Sequence, residues 1–319
     1  MSIPQAKPKS TRQAFGEMLA EVGGKYPKVV VCEADLSKST KSEMFGKKFP
    51  ERFFQIGIAE ANMIGTGAGL ALSGFVPFIC SFGCFVTGRY DQVRMSVAYA
   101  RAGVRIVGTH AGIGIGDDGH SQMGLEDISL MRELPTMMVF QPCDEIETRQ
   151  LIEWLASDAE AIKHPAYLRL TRQNLAPVHG ADYKFKFGKL DVLKRGSKVA
   201  LLGSGAGVQE CVGAYDLLKA KGLEVTLVNV PTLKPFDAEG VLALARDHKF
   251  LVTVEDHYTT GGLGSCVAEA MADGATSGVK LIRLGVQDIF GESGEQPELF
   301  EKFGFSAAKV AEKILKTVG

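Results

Sequence analysis

The chain has 319 residues, a length that accommodates two domains of ordinary size. Hydrophobic residues make up 45% of it and charged residues 23%, as in a typical soluble globular protein. A formal net charge of -1 gives no strong global field that would favour nucleic acid or an anionic membrane, so neither is expected as a partner. Any phosphate group must therefore be bound by local charges.

Targeting, membrane and metal signals are missing from the sequence. The amino-terminal segment is polar, and no apolar run reaches the roughly 18 residues of a membrane span. We therefore expect a cytoplasmic protein. The six cysteines form no CxxC pair and no zinc spacing, which predicts that this chain provides no metal ligands.

Short β-branched runs alternate with longer helical stretches along the chain. The runs are apolar throughout, as in strands covered on both faces of a parallel sheet, and they are 29–32, 76–79, 104–108, 137–140, 166–170, 199–202, 225–230, 250–254 and 280–284. The helical stretches are 11–22, 60–72, 88–100, 145–157, 207–219, 238–248 and 263–271. This alternation predicts an α/β fold with mainly parallel sheets flanked by helices. A turn-like segment at 178–182 and a polar link after it divide the chain into domains 1–186 and 187–319.

Two features of the first domain are candidates for binding a flat ring. Glu60 opens a Gly/Ala-rich helix amid apolar neighbours, although acidic residues are also common in the first turn of a helix. Phe82 and Phe85 follow a strand with small residues between them. Their rings can form one wall of a slot, or they can simply pack in the core.

The loop 109–122, THAGIGIGDDGHSQ, is the strongest functional signal. It follows the strand 104–108 at the end where open α/β sheets place ligands, and its glycines let the backbone approach a ligand closely. A structural loop rarely contains so many polar, titratable groups. Arg172 follows a later strand and has the chemistry to clamp a phosphate, although a lone arginine is more often in a surface ion pair.

The fragment 199–207, VALLGSGAG, resembles the strand, glycine loop and helix start of a dinucleotide-binding site. A true site requires an acidic residue at the end of the next strand, to hold the ribose. That strand runs into 231–235, PTLKP, without an acid. We therefore expect no NAD site here.

Taken together and in this order, these motifs resemble the pyrimidine-binding and C-terminal domains of transketolase. The resemblance extends from residue 11 to the end and includes VEDHY at 254–258, GGLG at 261–264 and FGF at 303–305. It implies a pyrimidine-binding domain over 1–186 and a transketolase C-terminal domain over 187–319.

The resemblance also implies roles for individual residues. Glu60 matches the glutamate that hydrogen-bonds the aminopyrimidine ring nitrogen of thiamine diphosphate, Phe82 and Phe85 match aromatic residues packed on that ring, and Asp35 matches an aspartate near the cofactor. His110 and Asp118 match residues that hold the hydroxyls of the donor sugar, His110 with a catalytic role as well. Gln122 lies where family members have histidine or glutamine. The residues that match groups gripping the substrate's phosphate are Arg12, Ser39 and Arg172.

The sequence departs from the family pattern at three positions. Asp117 stands where glutamate is usual, and Ala61 where a larger polar residue is usual. His120 replaces a proline within the loop 109–122, which is called the sugar loop below because the resemblance implies that it holds the donor sugar. We expect this replacement to make the loop less rigid and to affect the choice of substrate.

The GDG motif that marks the diphosphate and Mg²⁺ site of such enzymes does not occur in this sequence. The resemblance therefore implies a partner, an N-terminal transketolase subunit that supplies the Mg²⁺ ligands, in an α₂β₂ heterotetramer. The implied activity is transfer of a two-carbon ketol unit from a ketose phosphate to an aldose. The alternatives are a transketolase-like enzyme for a sulfonated or branched sugar, a deoxyxylulose phosphate synthase-like or 2-oxo acid dehydrogenase β-like subunit, and a non-catalytic scaffold subunit.

Overall fold

The computed structural model describes residues 7–318. Its strands are β1 (Lys9–Ser10), β2 (Val29–Glu33), β3 (Phe53–Gln55), β4 (Val76–Phe82), β5 (Arg105–Thr109), β6 (Met138–Phe140), β7 (Ala166–Arg169), β8 (Asn174–Leu175), β9 (Asp191–Lys194), β10 (Val199–Gly203), β11 (Thr226–Asn229), β12 (Thr232–Lys234), β13 (Phe250–Tyr258) and β14 (Lys280–Val286).

The α-helices are α1 (Thr11–Lys25), α2 (Ser37–Thr40), α3 (Glu43–Lys48), α4 (Glu60–Leu72), α5 (Gly83–Thr87), α6 (Tyr90–Gln92), α7 (Asp127–Glu133), α8 (Glu145–Ser157), α9 (Ala206–Ala220), α10 (Ala238–Asp247), α11 (Leu263–Asp273), α12 (Gln296–Lys302) and α13 (Ala307–Val318). A π-helical segment, Val93–Tyr99, continues α6. Short 3₁₀ turns lie at Pro50–Arg52, His120–Gln122 and Ala161–Lys163.

The strands form two large sheets. The first has seven strands in the order β12-β6-β7-β5-β4-β2-β3, and its strands are parallel except β12, which pairs antiparallel with β6. The second has five strands in the order β14-β13-β10-β11-β9, with β9 antiparallel to β11. The predicted α/β fold with mainly parallel sheets is confirmed.

The strand β12 crosses the predicted domain boundary. It lies in the second half of the sequence, yet it completes the edge of the first sheet, where Thr232 pairs with Phe140. The division of the chain at residue 186 stays a prediction.

The secondary-structure prediction was wrong in part for the helical stretch 88–100. The helix begins at Tyr90 and becomes π-helical from Val93. The fragment 199–207 does form a strand and a helix, as its pattern indicates. There Gly205 has φ +50, and a Cβ on it would lie 2.2 Å from the Gln141 amide nitrogen. This glycine therefore permits close packing between the two halves of the chain.

A buried ion pair ties the first sheet to the second half of the chain. Arg169 and Asp127 are both fully buried and pair at 2.9 Å, and the Tyr167 hydroxyl donates to Asp127 at 2.6 Å. Arg169 also donates from Nη2 to the backbone oxygen of Asp256 at 2.8 Å. Buried charges are tolerated only when they are paired and hydrogen-bonded in this way.

Within the described residues, none of the helices combines the length and the apolarity that crossing a membrane requires.

Candidate functional site

The residues singled out in the sequence lie after the carboxyl ends of neighbouring strands in the seven-stranded sheet. Asp35 follows β2, Glu60 follows β3, Phe82 ends β4, His110 follows β5 and Arg172 follows β7. These strands are parallel, so their carboxyl ends meet at one edge of the sheet. The fold therefore gathers positions that are far apart in the sequence.

Glu60 is the first residue of α4, a helix that packs against β4 and α5. Its side chain is 7% exposed, and no protein group between residues 7 and 318 hydrogen-bonds to its carboxylate. The helix N-terminus stabilises a negative charge at this position. The structure thus presents a buried acceptor that is free to bind a donor from a ligand.

Three aromatic rings stack after the carboxyl ends of β4 and β5. The rings of Phe82 and Phe85 are 5.4 Å apart at an interplanar angle of 11°. The imidazole of His110 lies 3.7 Å from the Phe82 ring at 25°. Stacked rings of this kind form a flat, rigid surface. The slot wall expected from Phe82 and Phe85 therefore includes His110 as well.

His110 is neutral, and its hydrogen bonds define its tautomer. Burial, together with the positive charges of Arg12 and Arg172, lowers the pKa of His110 to about 3. Arg12 donates from Nη1 to Nε2 of His110 at 3.0 Å, because a guanidinium only donates. The proton therefore lies on Nδ1, which is 3.0 Å from Oγ1 of Thr109. The residue also has φ +55, a backbone conformation that the surrounding contacts must hold in place.

A polar cleft of about 520 Å³ lies beside the aromatic wall. The cationic side chains that line it are those of Arg12, Lys41 and Arg172. Sequence reasoning missed Lys41, which ends α2 in a left-handed conformation with φ +70. No sequence signal marks it, because its approach depends on how α2 packs on α1.

A small two-stranded sheet brings the two arginines together. β1 pairs antiparallel with β8, so Ser10 lies opposite Asn174. The Thr11 hydroxyl also accepts from the Thr171 amide at 2.8 Å. Arg12 directly follows Thr11, and Arg172 directly follows Thr171. Burial, and to a lesser extent the positive charge of Arg172, lowers the pKa of Arg12. Two cations held this close indicate a site for an anion.

The guanidinium of Arg172 forms hydrogen bonds and ion pairs with groups of the sugar loop. It donates to the carbonyl oxygen of Ile115 and to Oδ2 of Asp118, the latter at 3.1 Å. Asp117 lies 3.5 Å from the same guanidinium nitrogen. Asp118 and Arg172 are therefore neighbours, and an entering anion competes with Asp118 for the guanidinium.

The turn after β2 is held by a buried carboxylate that the sequence did not reveal. Glu33 accepts from the hydroxyls of Thr40 and Ser42, and burial raises its pKa to about 7 although these bonds lower it. The turn carries Ser39, whose backbone oxygen, rather than its hydroxyl, accepts from Arg12 at 2.8 Å. Asp35 is exposed with φ +64. Glu33 thus positions the loop that both Asp35 and Ser39 belong to.

His120 joins the sugar loop to the segment that follows β14. Its Nδ1 accepts from the Gly291 amide at 3.1 Å, and its ring lies 4.7 Å from the Phe290 ring. The expected loss of rigidity at this position stays a prediction, which these two contacts oppose. Nearby, the Gln122 backbone oxygen accepts from the Cys84 thiol at 3.2 Å.

Asp256 also fixes the sugar loop from the second half of the chain. Its Oδ1 accepts from the Ile113 amide at 2.6 Å. A Cβ on Gly112, which has φ +92, would lie 2.0 Å from Oδ2 of Asp256. Burial raises the pKa of Asp256 to about 6, against the opposing charge of Arg169. The motif VEDHY signalled this segment, but not its contact with the loop.

Cys143, Asp144 and His179 form a compact buried group whose side chains are of the types that bind metals, and the absence of metal ligands in this chain stays a prediction. Burial opposes the charge of His179, but hydrogen bonds to Asp144 and Asp191 raise its pKa to about 10. Oδ2 of Asp144 already accepts from two backbone amides and from His179 Nδ1. The group is therefore satisfied as an ion pair without a metal.

The arrangement at the sheet edge fits an aminopyrimidine ring with an anionic sugar beside it. Glu60 offers an unpaired acceptor for a ring N–H, and Phe82 and Phe85 offer a flat apolar surface. Arg12 and Arg172 offer charge-assisted hydrogen bonds at the far end of the cleft.

Comparison with known proteins agrees with this geometry. The transketolase pyrimidine binding domain matches residues 7–177, and the transketolase C-terminal domain matches residues 188–310. A protein of Methanocaldococcus jannaschii, provisionally described as a transketolase C-terminal section, is 40% identical over 97% of this chain and 96% of its own length. The 6-deoxy-6-sulfo-D-fructose transketolase subunit of a Clostridium species (strain MSTE9) is 38% identical over 94% of this chain and 91% of its own.

Among solved structures, a split gene transketolase described as an inactive β₄ tetramer superposes with a TM-score of 0.85 at 37% identity. The match covers 97% of this chain and 98% of that one. Both halves of the sequence, the site and the whole-length relatives point the same way. The chain belongs to the transketolase family, as a subunit that carries its pyrimidine-binding and C-terminal domains.

Proposed function

We propose that the chain is the C-terminal subunit of a thiamine diphosphate-dependent transketolase, and that it transfers a two-carbon ketol unit from a ketose phosphate to an aldose. The observation that carries the proposal is Glu60, a buried carboxylate with no hydrogen-bond partner in the described part of the chain, at the edge of the sheet that also holds the aromatic wall. Bound thiamine diphosphate supplies the nucleophilic carbon on which the two-carbon unit is carried.

In this function Glu60 hydrogen-bonds the ring nitrogen of the aminopyrimidine and sets the protonation of that ring. Phe82 and Phe85 pack against the ring face, and their mutual stacking keeps the surface flat. Asp35 lies on the neighbouring turn that Glu33 holds, near the cofactor. These groups orient the ring and exclude water from one of its faces.

His110, Asp118 and Gln122 hold the hydroxyls of the donor sugar. His110 is neutral, so it adds no positive charge beside the sugar, and a sugar hydroxyl that it holds takes the place of Arg12 at its Nε2 lone pair. The Gln122 side chain makes no hydrogen bond to the described part of the protein, so it is available to a ligand.

Arg12, Ser39 and Arg172 grip the substrate's phosphate at the mouth of the cleft, and Lys41 adds a third positive charge. This local charge accounts for phosphate binding by a protein with a net charge of -1. The guanidinium of Arg172 exchanges its contact with Asp118 for the phosphate, which releases Asp118 toward the sugar.

The diphosphate of the cofactor and its Mg²⁺ require a second polypeptide, an N-terminal transketolase subunit, in an α₂β₂ assembly. Exposed apolar side chains on and beside α4, the helix that Glu60 begins, support this proposal. Ile58, Leu72, Met95 and Tyr99 are 83%, 67%, 47% and 80% exposed, on or beside α4 and the π-helical segment that packs against it. Large exposed apolar groups on adjacent elements are typical of interaction sites. A similar protein, a split gene transketolase, is described as an inactive β₄ tetramer, which supports the need for a partner.

The alternatives differ in the sugar or in the donor that the enzyme uses. One relative is named for a sulfonated fructose, so a sulfo-sugar or branched sugar is the nearest alternative to a common ketose phosphate. A deoxyxylulose phosphate synthase-like or 2-oxo acid dehydrogenase β-like subunit would also retain Glu60, but it would use pyruvate or another 2-oxo acid as the donor. A non-catalytic scaffold would not need a buried, unpaired carboxylate, because such a group is costly.

The test is to reconstitute the purified chain with the partner that carries the diphosphate domain, thiamine diphosphate and Mg²⁺. Xylulose 5-phosphate with an aldose phosphate should give ketol transfer, and pyruvate as the donor should not. The chain with cofactor and Mg²⁺ but without the partner should be inactive. Full turnover by the chain alone, or none by the pair with any ketose phosphate or sulfo-ketose, would contradict the proposal.

A further inference from the structure

The segment 287–296, between β14 and α12, reaches from the C-terminal half of the chain to the sugar loop; it is called the arm below. Phe290 and Gly291 contact His120, as described above. The Gly294 amide lies 3.5 Å from the Gly116 oxygen. A Cβ on Gly119 would lie 2.7 Å from the Ser293 hydroxyl. The arm therefore follows the loop closely over most of its length.

The end of the arm forms one wall of the cationic cleft. Glu295 and Gln296 line it, opposite the loop residue Gly114, whose Cβ position lies 3.0 Å from Cγ of Gln296. A residue of the C-terminal half thus faces the group that the cleft binds. The C-terminal half therefore lines the cleft, in addition to packing against the first half.

Glu295 adds an unpaired negative charge to the cleft. The cations there are Arg12, Lys41 and Arg172, and the other acid, Asp117, pairs with Arg172 at 3.5 Å. Glu295 is exposed, and within residues 7–318 no cation lies within ion-pair distance of it. Its charge therefore acts directly on an anion that enters the cleft.

We propose that the arm is a specificity element and that Glu295 selects the charge of the bound tetrahedral oxyanion. Repulsion by one carboxylate is twice as large for a doubly charged anion as for a singly charged one. Glu295 thus shifts the preference of the cleft from a phosphate dianion toward a singly charged head group such as a sulfonate. The inference rests on the proposed function, in which this anion is the distal group of the sugar substrate.

The cleft lies within this chain, so anion binding can be measured on the purified full-length chain by isothermal titration at low ionic strength. The probes are inorganic phosphate at about pH 8, where it is mostly doubly charged, and methanesulfonate, which is singly charged. For charges about 6 Å apart in water, removal of one negative charge strengthens binding about threefold per unit of anion charge. Glu295→Gln should therefore tighten methanesulfonate binding about threefold and phosphate binding about tenfold.

Glu298→Gln is the matched control, because Glu298 is an exposed acid on α12 that does not line the cleft. It should leave the affinity of both anions unchanged. Arg172→Ala should weaken binding of both, which verifies that the probes occupy the cleft. Equal affinities for the wild type and Glu295→Gln, the same gain in Glu298→Gln, equal gains for both anions, or no binding to any variant would each overturn the inference.

His120 provides a second test, because it anchors the arm through an acceptor that asparagine can replace. In the background of His120→Ala the gain from Glu295→Gln should shrink, and in the background of His120→Asn it should persist. An undiminished gain in His120→Ala contradicts the anchoring. Ketol transfer by the wild-type pair is measured separately: an inactive pair refutes the proposed function, whereas an active pair without the charge effect refutes only the inference.

Discussion

The change Glu60→Gln keeps the size of the side chain and removes its charge. The carboxylate is 7% exposed and has no protein partner among residues 7–318, so its desolvation costs free energy. The N-terminus of α4 offsets part of that cost, by about 0.3–1 kcal/mol. Since these contributions oppose each other, we expect the free energy of unfolding of the chain to change by less than about 1 kcal/mol, measured by urea denaturation.

Activity should respond very differently. In the reconstituted pair the glutamine amide cannot set the protonation of the aminopyrimidine ring, and such proton-transfer roles contribute about 10²–10⁴-fold to rate. We therefore expect kcat to fall at least about a hundredfold, which corresponds to about 2.7 kcal/mol of lost transition-state stabilisation. A coupled assay with xylulose 5-phosphate as donor measures this change.

Glu43→Gln is the matched control. Glu43 is also the first residue of its helix, α3, but it forms an exposed pair with Lys47 at 2.8 Å. Its replacement should cost about 0.3–0.5 kcal/mol of stability and leave kcat unchanged. If Glu60→Gln retains more than about a tenth of wild-type activity, or destabilises the fold as a structural acid would, the assigned role of Glu60 is refuted.

Three further changes test other parts of the structure. Arg172→Ala should raise KM for an aldose phosphate about ten- to a hundredfold, since charge-assisted hydrogen bonds contribute about 1.5–3 kcal/mol. It should leave KM for unphosphorylated glycolaldehyde unchanged. Equal effects on both acceptors would rule out a phosphate contact. The folded chain keeps a proton on His179 up to about pH 10, whereas the unfolded chain loses it above about pH 6.5. Between these two pH values the free energy of unfolding of the wild type should therefore fall, relative to that of His179→Gln, by up to about 1.4 kcal/mol per pH unit. No such fall is expected relative to the exposed control His164→Gln. Asp127→Asn leaves Arg169 buried without its counter-charge and should lower the free energy of unfolding by about 3–5 kcal/mol, and a loss below about 1 kcal/mol in urea denaturation would argue against the pair.

The sheets were predictable because their strands carry a local signal. The predicted runs 29–32 and 199–202 are apolar throughout and fully buried, and each has a helix next to it in the sequence. α13 had a readable signal too, since Val310, Ala311 and Ile314 repeat at helical spacing and are buried, but it was not among the predicted helices.

Elements without such a signal could not be predicted. β1 and β8 have two residues each, and they form only because they pair with each other, although they are far apart in the sequence. The π-helical turn at Val93–Tyr99 has no sequence pattern of its own. The proximity of Arg12 to Arg172, and the part of Lys41 in the cleft, depend on these elements and therefore appear only in three dimensions.

That several site residues lie at one edge of the sheet was predictable from the parallel topology. Parallel strands place whatever follows their carboxyl ends at one edge, so Glu60, His110 and Arg172 share that edge by topology. What each side chain contacts was not predictable. The stacking of His110 on Phe82 and the tether from His120 to Gly291 come from packing between distant segments.

The edge strand β12 has a consequence for how the protein comes apart. Without Thr232–Lys234, a fragment that stops at residue 186 would leave β6 with unpaired amides and carbonyls along a bare flank, which invites self-association. Limited proteolysis in the 178–197 region should therefore yield two pieces that co-migrate under native conditions, and heat or urea should melt both sheets in a single step.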